Sequence, residues 1–328
     1  LTRRRRGRGF SYHDAEGRVV DDPGELERIR CLVIPPAWRD VWICRDPRGH
    51  IQATGTDAAG RRQYLYHPVW RRQRGAAKFD HVLEFAATLP RLRRRVSRDL
   101  AEPGLSRTRV LGAAARLLDL GAFRVGGEAY AVGDDATFGL ATLRRDHVSL
   151  TRGEITFRYL AKGGAERSHT VVDDEVHAVL APLVRRRTGE ELLAYREGGV
   201  WRDVRSADIN DYLRDVAGLE VTAKDFRTWH ATNLAAVGLA SVGGGGSRSA
   251  RKRAVSRVMR EVADFLGNTP AVARASYVDP RVVDLYHEGV TIPVDDLDLP
   301  DQLGEVTGHT VTERRVLRLL RDESARAA

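Results

Sequence analysis

Apolar and polar positions alternate differently in the two parts of this chain. From residue 9 to about residue 75 the apolar residues come in short runs broken by turn chemistry, as strands do. Residues 41–44, 51–54 and 63–66 have strand length and are separated by Asp46-Pro-Arg-Gly49 and Asp57-Ala-Ala-Gly60. Residues 9–17 read as strand and turn, and residues 24–30 as a short helix. Ile34-Pro-Pro-Ala-Trp38 excludes a helix interior. Near Arg71-Arg72-Gln-Arg74 the period changes: Val82, Phe85, Ala86, Leu89 and Leu92 recur at helical spacing. The boundary is placed there, giving a β-rich domain over 1–75 and a mainly helical domain over 76–328.

Within the second stretch, residues 110–120 form a strongly apolar helix ending at Gly121, followed by Phe123-Arg-Val-Gly126. An arginine at the buried end of a core helix is costly unless an anion lies near it. Residues 138–143, 147–151 and 154–160 then alternate as strands, and 169–172 closes the last hairpin. This predicts a three-stranded antiparallel sheet with Lys162 in the turn Ala161-Lys-Gly-Gly164. Helical patterns return over 174–187, over 206–217 with Ser206 as the cap, and from Lys224, where Arg227 and His230 should project from the first turns. A flexible charged connection is expected over 243–253, helix again over 259–266, an acidic segment over 294–301, and a last helix over about 312–322. The expected class is therefore α+β, a small N-terminal antiparallel sheet domain plus a larger helical one with its own three-stranded sheet.

Residues 264–280 hold the most pointed local signal. Thr269-Pro270 starts a short helix expected to run to about Tyr277 before Pro280 stops it, with Asn268 at its mouth, Tyr277 two turns further on and the positive helix end expected to face the same cavity.

Composition narrows the partner. The formal net charge is +9, and among the 54 Lys and Arg residues the only lysines are Lys78, Lys162, Lys224 and Lys252. A basic, arginine-dominated chain suits a polyanion, because a guanidinium forks two donors onto phosphate oxygens. Arg61, Arg62, Gln63, Tyr64 and Tyr66 together suit a sheet laid in a DNA groove, although both tyrosines would also serve as ordinary strand residues. The arginines of residues 91–98 fit either a phosphate-lining surface or a solvated helix face. No run of 18 apolar residues predicts a membrane span, and the start offers no signal-peptide core, so a cytoplasmic, nucleoid-associated location is expected. Cys31 and Cys44 are expected to be reduced, and no Cys/His cluster has zinc spacing. The sequence contains no internal repeat, Walker loop or dinucleotide fingerprint.

These pieces, taken in order, resemble the type IB DNA topoisomerases of the small bacterial and poxvirus-like kind, from Gly9 to about Gly289. Ile34-Pro-Pro-Ala-Trp-Arg-Asp-Val-Trp42, Gly49-His-Ile-Gln-Ala-Thr-Gly55 and Gly60-Arg-Arg-Gln-Tyr-Leu-Tyr-His67 resemble that family's DNA-clamping β domain. Phe123-Arg-Val-Gly, Ala161-Lys-Gly-Gly, Lys224-Asp-Phe-Arg-Thr-Trp-His-Ala-Thr232 and Leu266-Gly-Asn-Thr-Pro270 through Ser276-Tyr277 resemble its active-site segments. The resemblance implies that Tyr277 is the nucleophile, forming a link to a 3′-phosphate. Arg124 and Arg227 would clamp the non-bridging oxygens, Arg124 with a part in proton transfer as well. Lys162 would protonate the departing 5′-oxygen, Asn268 would donate to a phosphate oxygen, and Gln63, Tyr64 and Tyr66 would contact duplex DNA.

A phenol of pKa about 10 is scarcely ionised at neutral pH, so attack needs a base or nearby cations. The 5′-alkoxide is the poorer leaving group, so an acid matters most there. Neither step needs metal or ATP, and a divalent cation is expected at most to stimulate. The substrate expected is supercoiled duplex DNA, acted on by a monomer. Gly127, Asp134, Glu166, Asp279 and the glycine run at Gly243 depart from the family's usual pattern. A tyrosine recombinase and a non-catalytic DNA clamp are the alternative readings.

Overall fold

The computed structural model describes residues 1–121, 123–133, 135–243, 245–293 and 310–327. The acidic segment expected over 294–301, and Asp134, lie outside them. The chain divides into two compact units, Leu1–Asp80 and His81–Ala328.

The first unit is a five-stranded antiparallel sheet in the order β2-β1-β3-β4-β5, made of β1 (Thr2–Arg6), β2 (Gly9–His13), β3 (Arg39–Ile43), β4 (Ile51–Thr56) and β5 (Arg62–Tyr66). The helix α1 (Pro23–Cys31) starts on Asp22, whose carboxylate accepts the N–H groups of Gly24 and Glu25. Leu1, Ile29, Val41, Ile43 and Ala53 form its small core. Strand β1 is Thr-Arg-Arg-Arg-Arg, a sequence with no apolar alternation to announce it. It forms because β2 supplies a full register of partners, from Thr2 opposite His13 to Arg6 opposite Gly9.

The second unit contains most of α2 (Pro68–Leu100), then α3 (Arg107–Leu120), and a three-stranded sheet β6-β7-β8 built from Val148–Thr151, Glu154–Ala161 and Ala165–Val172. It continues through α4 (Asp174–Val184), the hairpin β9 (Ala194–Glu197) and β10 (Val200–Asp203), then α5 (Ser206–Ala217) and α6 (Ala223–Val242). The helices α7 (Arg248–Leu266), α8 (Pro270–Ser276), α9 (Pro280–His287) and α10 (Thr310–Ala327) complete it. Helix α6 is buried along nearly its whole length, which explains why it lacks an amphipathic stripe.

Several local expectations are corrected. Residues 138–143 are not a strand. Their backbone instead pairs with the Arg124 loop, Leu140 and Ala141 donating N–H bonds to the carbonyls of Arg124 and Val125 at 2.8 and 2.7 Å. Ser206 is the first residue of α5 rather than its cap, and its hydroxyl donates to Glu128. Only residues 243–247 connect α6 to α7, since Ser247 caps a helix that already contains the basic run from Arg248.

Three of the five arginines over 91–98 bond within the protein, while Arg94 and Arg98 are exposed. Arg91 donates to the Ala217 carbonyl and Arg95 to Asp99. Arg93 is mostly buried, forked between Asp119 (2.7 and 2.9 Å) and Glu313 of α10 (2.6 and 2.9 Å). Burial pushes the Arg93 pKa down, but the two carboxylates outweigh it and hold the guanidinium more firmly protonated. Trp229 also donates its indole N–H to Glu313, at 3.1 Å. His230 does not project toward solvent: it is fully buried 3.8 Å from Asp119, and burial foremost lowers its pKa and favours the neutral ring.

Candidate active site

Tyr277 stands at the C-terminal end of α8, a helix that Thr269 starts by accepting the Val272 N–H. Its own backbone is pinned. The N–H donates to the Ala273 carbonyl, and the Tyr277 carbonyl accepts the Thr232 hydroxyl of α6 at 3.2 Å. The same Thr232 oxygen accepts the Asp279 N–H at 3.1 Å. Asp279 is itself buried, caps α9 and pairs with Arg281, so this departure from the family pattern serves the backbone.

Arg227 lies in the second turn of α6, 2% exposed, with its guanidinium carbon 5.2 Å from the centre of the Tyr277 ring. Arg124 follows Phe123, a buried ring packed edge-on against Phe157 of β7 at 4.9 Å. The Arg124 loop is held from below by a glycine pair. A Cβ on Gly139 would lie 2.5 Å from the Gly126 backbone and 2.7 Å from the Arg124 carbonyl, so no side chain fits. Lys162 occupies the β7–β8 turn and is exposed. Gly163 and Gly164 both take positive φ there, a conformation glycine adopts without strain.

These groups share one opening. A cavity of about 420 Å³ is lined by Arg124, Lys162, Lys224, Arg227 and Tyr277 among others. Asn268 stands behind it: its side-chain oxygen accepts from Arg124, while its amide nitrogen is buried without a partner. The helix whose N-terminus meets this opening is α6, through Ala223 and Lys224, and α8 instead contributes Tyr277 from its far end. The expectation that the positive end of the Tyr277 helix faces the phenol is corrected accordingly.

The electrostatics favour a nucleophilic phenol. Burial, the largest influence on Tyr277, pushes its pKa up, but Arg227, Lys224 and Arg124 together bring it below the ordinary tyrosine value. Arg227 is brought down to about 10, by burial first and then by Arg124, and stays protonated at neutral pH. Lys224 is the member that the motif reading left without a role. It sits three residues before Arg227 on the same helix, a spacing that puts two side chains on one face, and it is one of only four lysines.

In the first unit, Arg61 and Gln63 both donate to Asp57, at 2.9 Å each, and Arg62 donates to Thr54 at 2.7 Å. Backbone bonding from Arg61, then its side chain and Gln63, hold the Asp57 carboxyl down at about 2. Tyr64 is 47% exposed and stacks on Tyr66, which stacks on Trp70 with ring centres 4.6 Å apart. Trp70 extends the aromatic row beyond what the strand pattern indicated. Among the described residues no group of three or more His, Cys, Asp or Glu side chains could hold a metal ion, and no helix is long and apolar enough to cross a membrane.

A phenol with a lowered pKa, two guanidiniums and two lysines around one opening have the chemistry to bind an anionic group and attack it. Comparison with known proteins gives the family. Residues 67–288 match the family described as eukaryotic DNA topoisomerase I, catalytic core, and residues 9–57 match the bacterial DNA topoisomerase IB N-terminal domain. The DNA topoisomerase 1B of Acanthamoeba polyphaga mimivirus is 31% identical over 294 residues, covering 87% of each chain. The DNA topoisomerase I of Monkeypox virus is 20% identical over 288 residues, covering 85% of this chain and 87% of that one. The DNA topoisomerase 1B of Vaccinia virus (strain Copenhagen) is 19% identical with the same coverage. The chain belongs to the type IB DNA topoisomerases, a family of enzymes that act on DNA.

Proposed function

We propose that the protein relaxes supercoiled duplex DNA by cutting one strand through a 3′-phosphotyrosine, letting the duplex rotate, and resealing it. The observation that carries this reading is the convergence of Tyr277, Arg124, Arg227 and Lys162 on one cavity. The Tyr277 phenol gives up its proton to solvent, and the phenolate oxygen attacks phosphorus. Arg124 and Arg227 offset the charge that grows on the non-bridging oxygens. As the P–O5′ bond breaks, Lys162 gives its proton to the leaving oxygen, a contribution typically of 10²–10⁴-fold for general acids. Asn268, whose amide oxygen is already held by Arg124, directs its N–H donors to a phosphate oxygen.

Religation is the reverse: the 5′-hydroxyl attacks the phosphotyrosine and the phenol leaves. One phosphodiester is exchanged for another, so the bond energy is retained and neither ATP nor a metal ion is required. The row of Tyr64, Tyr66 and Trp70, with Arg61, Arg62 and Gln63 beside it, supplies duplex contacts once DNA competes for the hydrogen bonds to Asp57 and Thr54. Such binding should weaken steeply with salt.

The test is relaxation of a supercoiled plasmid in EDTA without ATP, alongside Tyr277→Phe. Wild type should relax the plasmid and form a denaturant-stable DNA adduct, whereas the variant should bind duplex but form none. An adduct that survives in the variant would show that Tyr277 is not the nucleophile.

A further inference from the structure

Four successive carbonyls at the C-terminal end of α7 are taken by three arginines. Arg167 of β8 donates from Nη1 to the Asp264 carbonyl at 3.0 Å and from Nη2 to the Phe265 carbonyl at 2.7 Å. Arg227 takes Leu266 at 2.9 Å and Arg124 takes Gly267 at 3.1 Å. They lie at the end where the helix dipole favours cations, and of the four only the Asp264 carbonyl also accepts a local N–H, that of Gly267 at 3.2 Å. The Arg167 guanidinium lies flush on this end. A Cβ on Gly267 would come within 2.9 Å of its central carbon, and Gly267 has a φ of +62°.

Arg124 and Arg227 line the cavity, but Arg167 does not; it lines a neighbouring concavity with Arg158, Tyr159 and Glu166. What distinguishes Arg167 is the element that carries it. It belongs to the hairpin whose turn holds Lys162, and it pairs in register with Tyr159, three residues before that lysine. At strand rise this puts the anchor about 10 Å from the tip. The tip is closed only by its own bond from the Gly164 N–H to the Ala161 carbonyl at 3.0 Å, and Gly163 and Gly164 have no atom within 4 Å of where a Cβ would stand. The two-point bond from Arg167 to α7 thus ties the lysine-bearing hairpin to the segment that continues into Asn268, α8 and Tyr277.

We infer that Arg167 is a positioning residue for the general acid: its forked bond to the Asp264 and Phe265 carbonyls sets where Lys162 reaches over the cavity. The inference rests on the proposed role of Lys162 and concerns only how that lysine is held. A displacement of about 1 Å at a reacting group can cost 10²-fold in rate.

The experiment is single-turnover cleavage by full-length protein of two duplexes that differ in one atom at the scissile phosphate. One carries the ordinary bridging 5′-oxygen, and the other a bridging 5′-sulfur, which leaves without a proton. Lys162→Ala is the reference and should be slow on oxygen and restored on sulfur. If sulfur does not restore it, the acid assignment itself fails. Given that reference, Arg167→Met should slow the oxygen substrate roughly 10- to 100-fold, within the span of general acid effects, and leave the sulfur substrate close to wild type. Adding Arg167→Met to Lys162→Ala should slow cleavage no further.

Arg167→Lys keeps the charge but reaches only one carbonyl, and it should share the oxygen-specific loss; it also serves if the methionine variant does not fold. Equal slowing on both substrates, an additive double variant, or full rescue by lysine would overturn the inference. A loss confined to DNA affinity would make Arg167 a phosphate contact and overturn it as well.

Discussion

Glu313 offers a prediction whose size can be worked out from the structure. Its carboxylate is 6% exposed, accepts two hydrogen bonds from Arg93 at 2.6 and 2.9 Å, and accepts the Trp229 indole N–H at 3.1 Å. Glu313→Ala removes both acceptor oxygens and with them all three hydrogen bonds. Breaking a buried pair by deleting one partner costs about 3–5 kcal/mol. The lower end applies, because Arg93 keeps both bonds to Asp119. The stranded indole N–H adds about 1 kcal/mol or more, so the expected loss is roughly 4 kcal/mol. In a unit of this size each kcal/mol lowers the melting temperature by about 2–4 °C, which gives a drop on the order of 10 °C. Urea unfolding followed by tryptophan fluorescence reads the loss directly. Glu313→Gln should fall between wild type and alanine, since an amide oxygen can still accept from Trp229. A denaturation midpoint for Glu313→Ala equivalent to less than about 0.5 kcal/mol of loss would refute the reasoning and mean that α10 does not seat its carboxylate against Arg93.

Two further outcomes follow from the cavity. The Tyr277 pKa is lowered and, under the proposed chemistry, the ionised phenol is the attacking form, so adduct formation should rise with pH and level off below the value of about 10 usual for tyrosine. Arg227→Ala should move that midpoint upward and cut the neutral-pH rate by about 10²–10³-fold; a profile unmoved by the substitution would contradict the pairing. Gly139→Ala places a methyl carbon against the Gly126 backbone and the Arg124 carbonyl, and it should destabilise by about 1–3 kcal/mol. Cleavage measured well below its melting transition should also fall, because the Arg124 loop must move; wild-type cleavage and melting together would count against that tight contact.

The parts of this protein that could be read from its sequence are those fixed by local chemistry. Thr269-Pro270 starts a helix and Ala161-Lys-Gly-Gly164 makes a turn wherever they occur, and both stand where their residue types demand. The short strands β3, β4 and β5 were marked by the turns around them. What escaped was decided by distant partners. Residues 138–143 alternate like a strand, but the carbonyls of Arg124 and Val125 claim their N–H groups. The basic run at 91–98 looks uniform in sequence, and only the fold sends Arg93 inward to two carboxylates, one of them 220 residues away. His230 follows Arg227 by three residues and yet faces the core, because a helix buried on all sides gives no pattern from which to tell its faces apart. Of the cavity residues, Tyr277, Arg124, Arg227 and Lys162 were reached through motif order, Asn268 stands just behind, and Lys224 needed the geometry.

The hydroxyl of Thr232 has a mechanical consequence. It bridges the carbonyl of Tyr277 and the N–H of Asp279, so the main chain at Tyr277 and just after it is moored to a helix buried along nearly its whole length. Under the proposed chemistry a severed strand hangs from that tyrosine while the rest of the duplex spins. The torque is then borne by α6 and the hydrophobic interior around it, not by a loose loop, and the tethered end is still waiting at the same spot when the other end comes round.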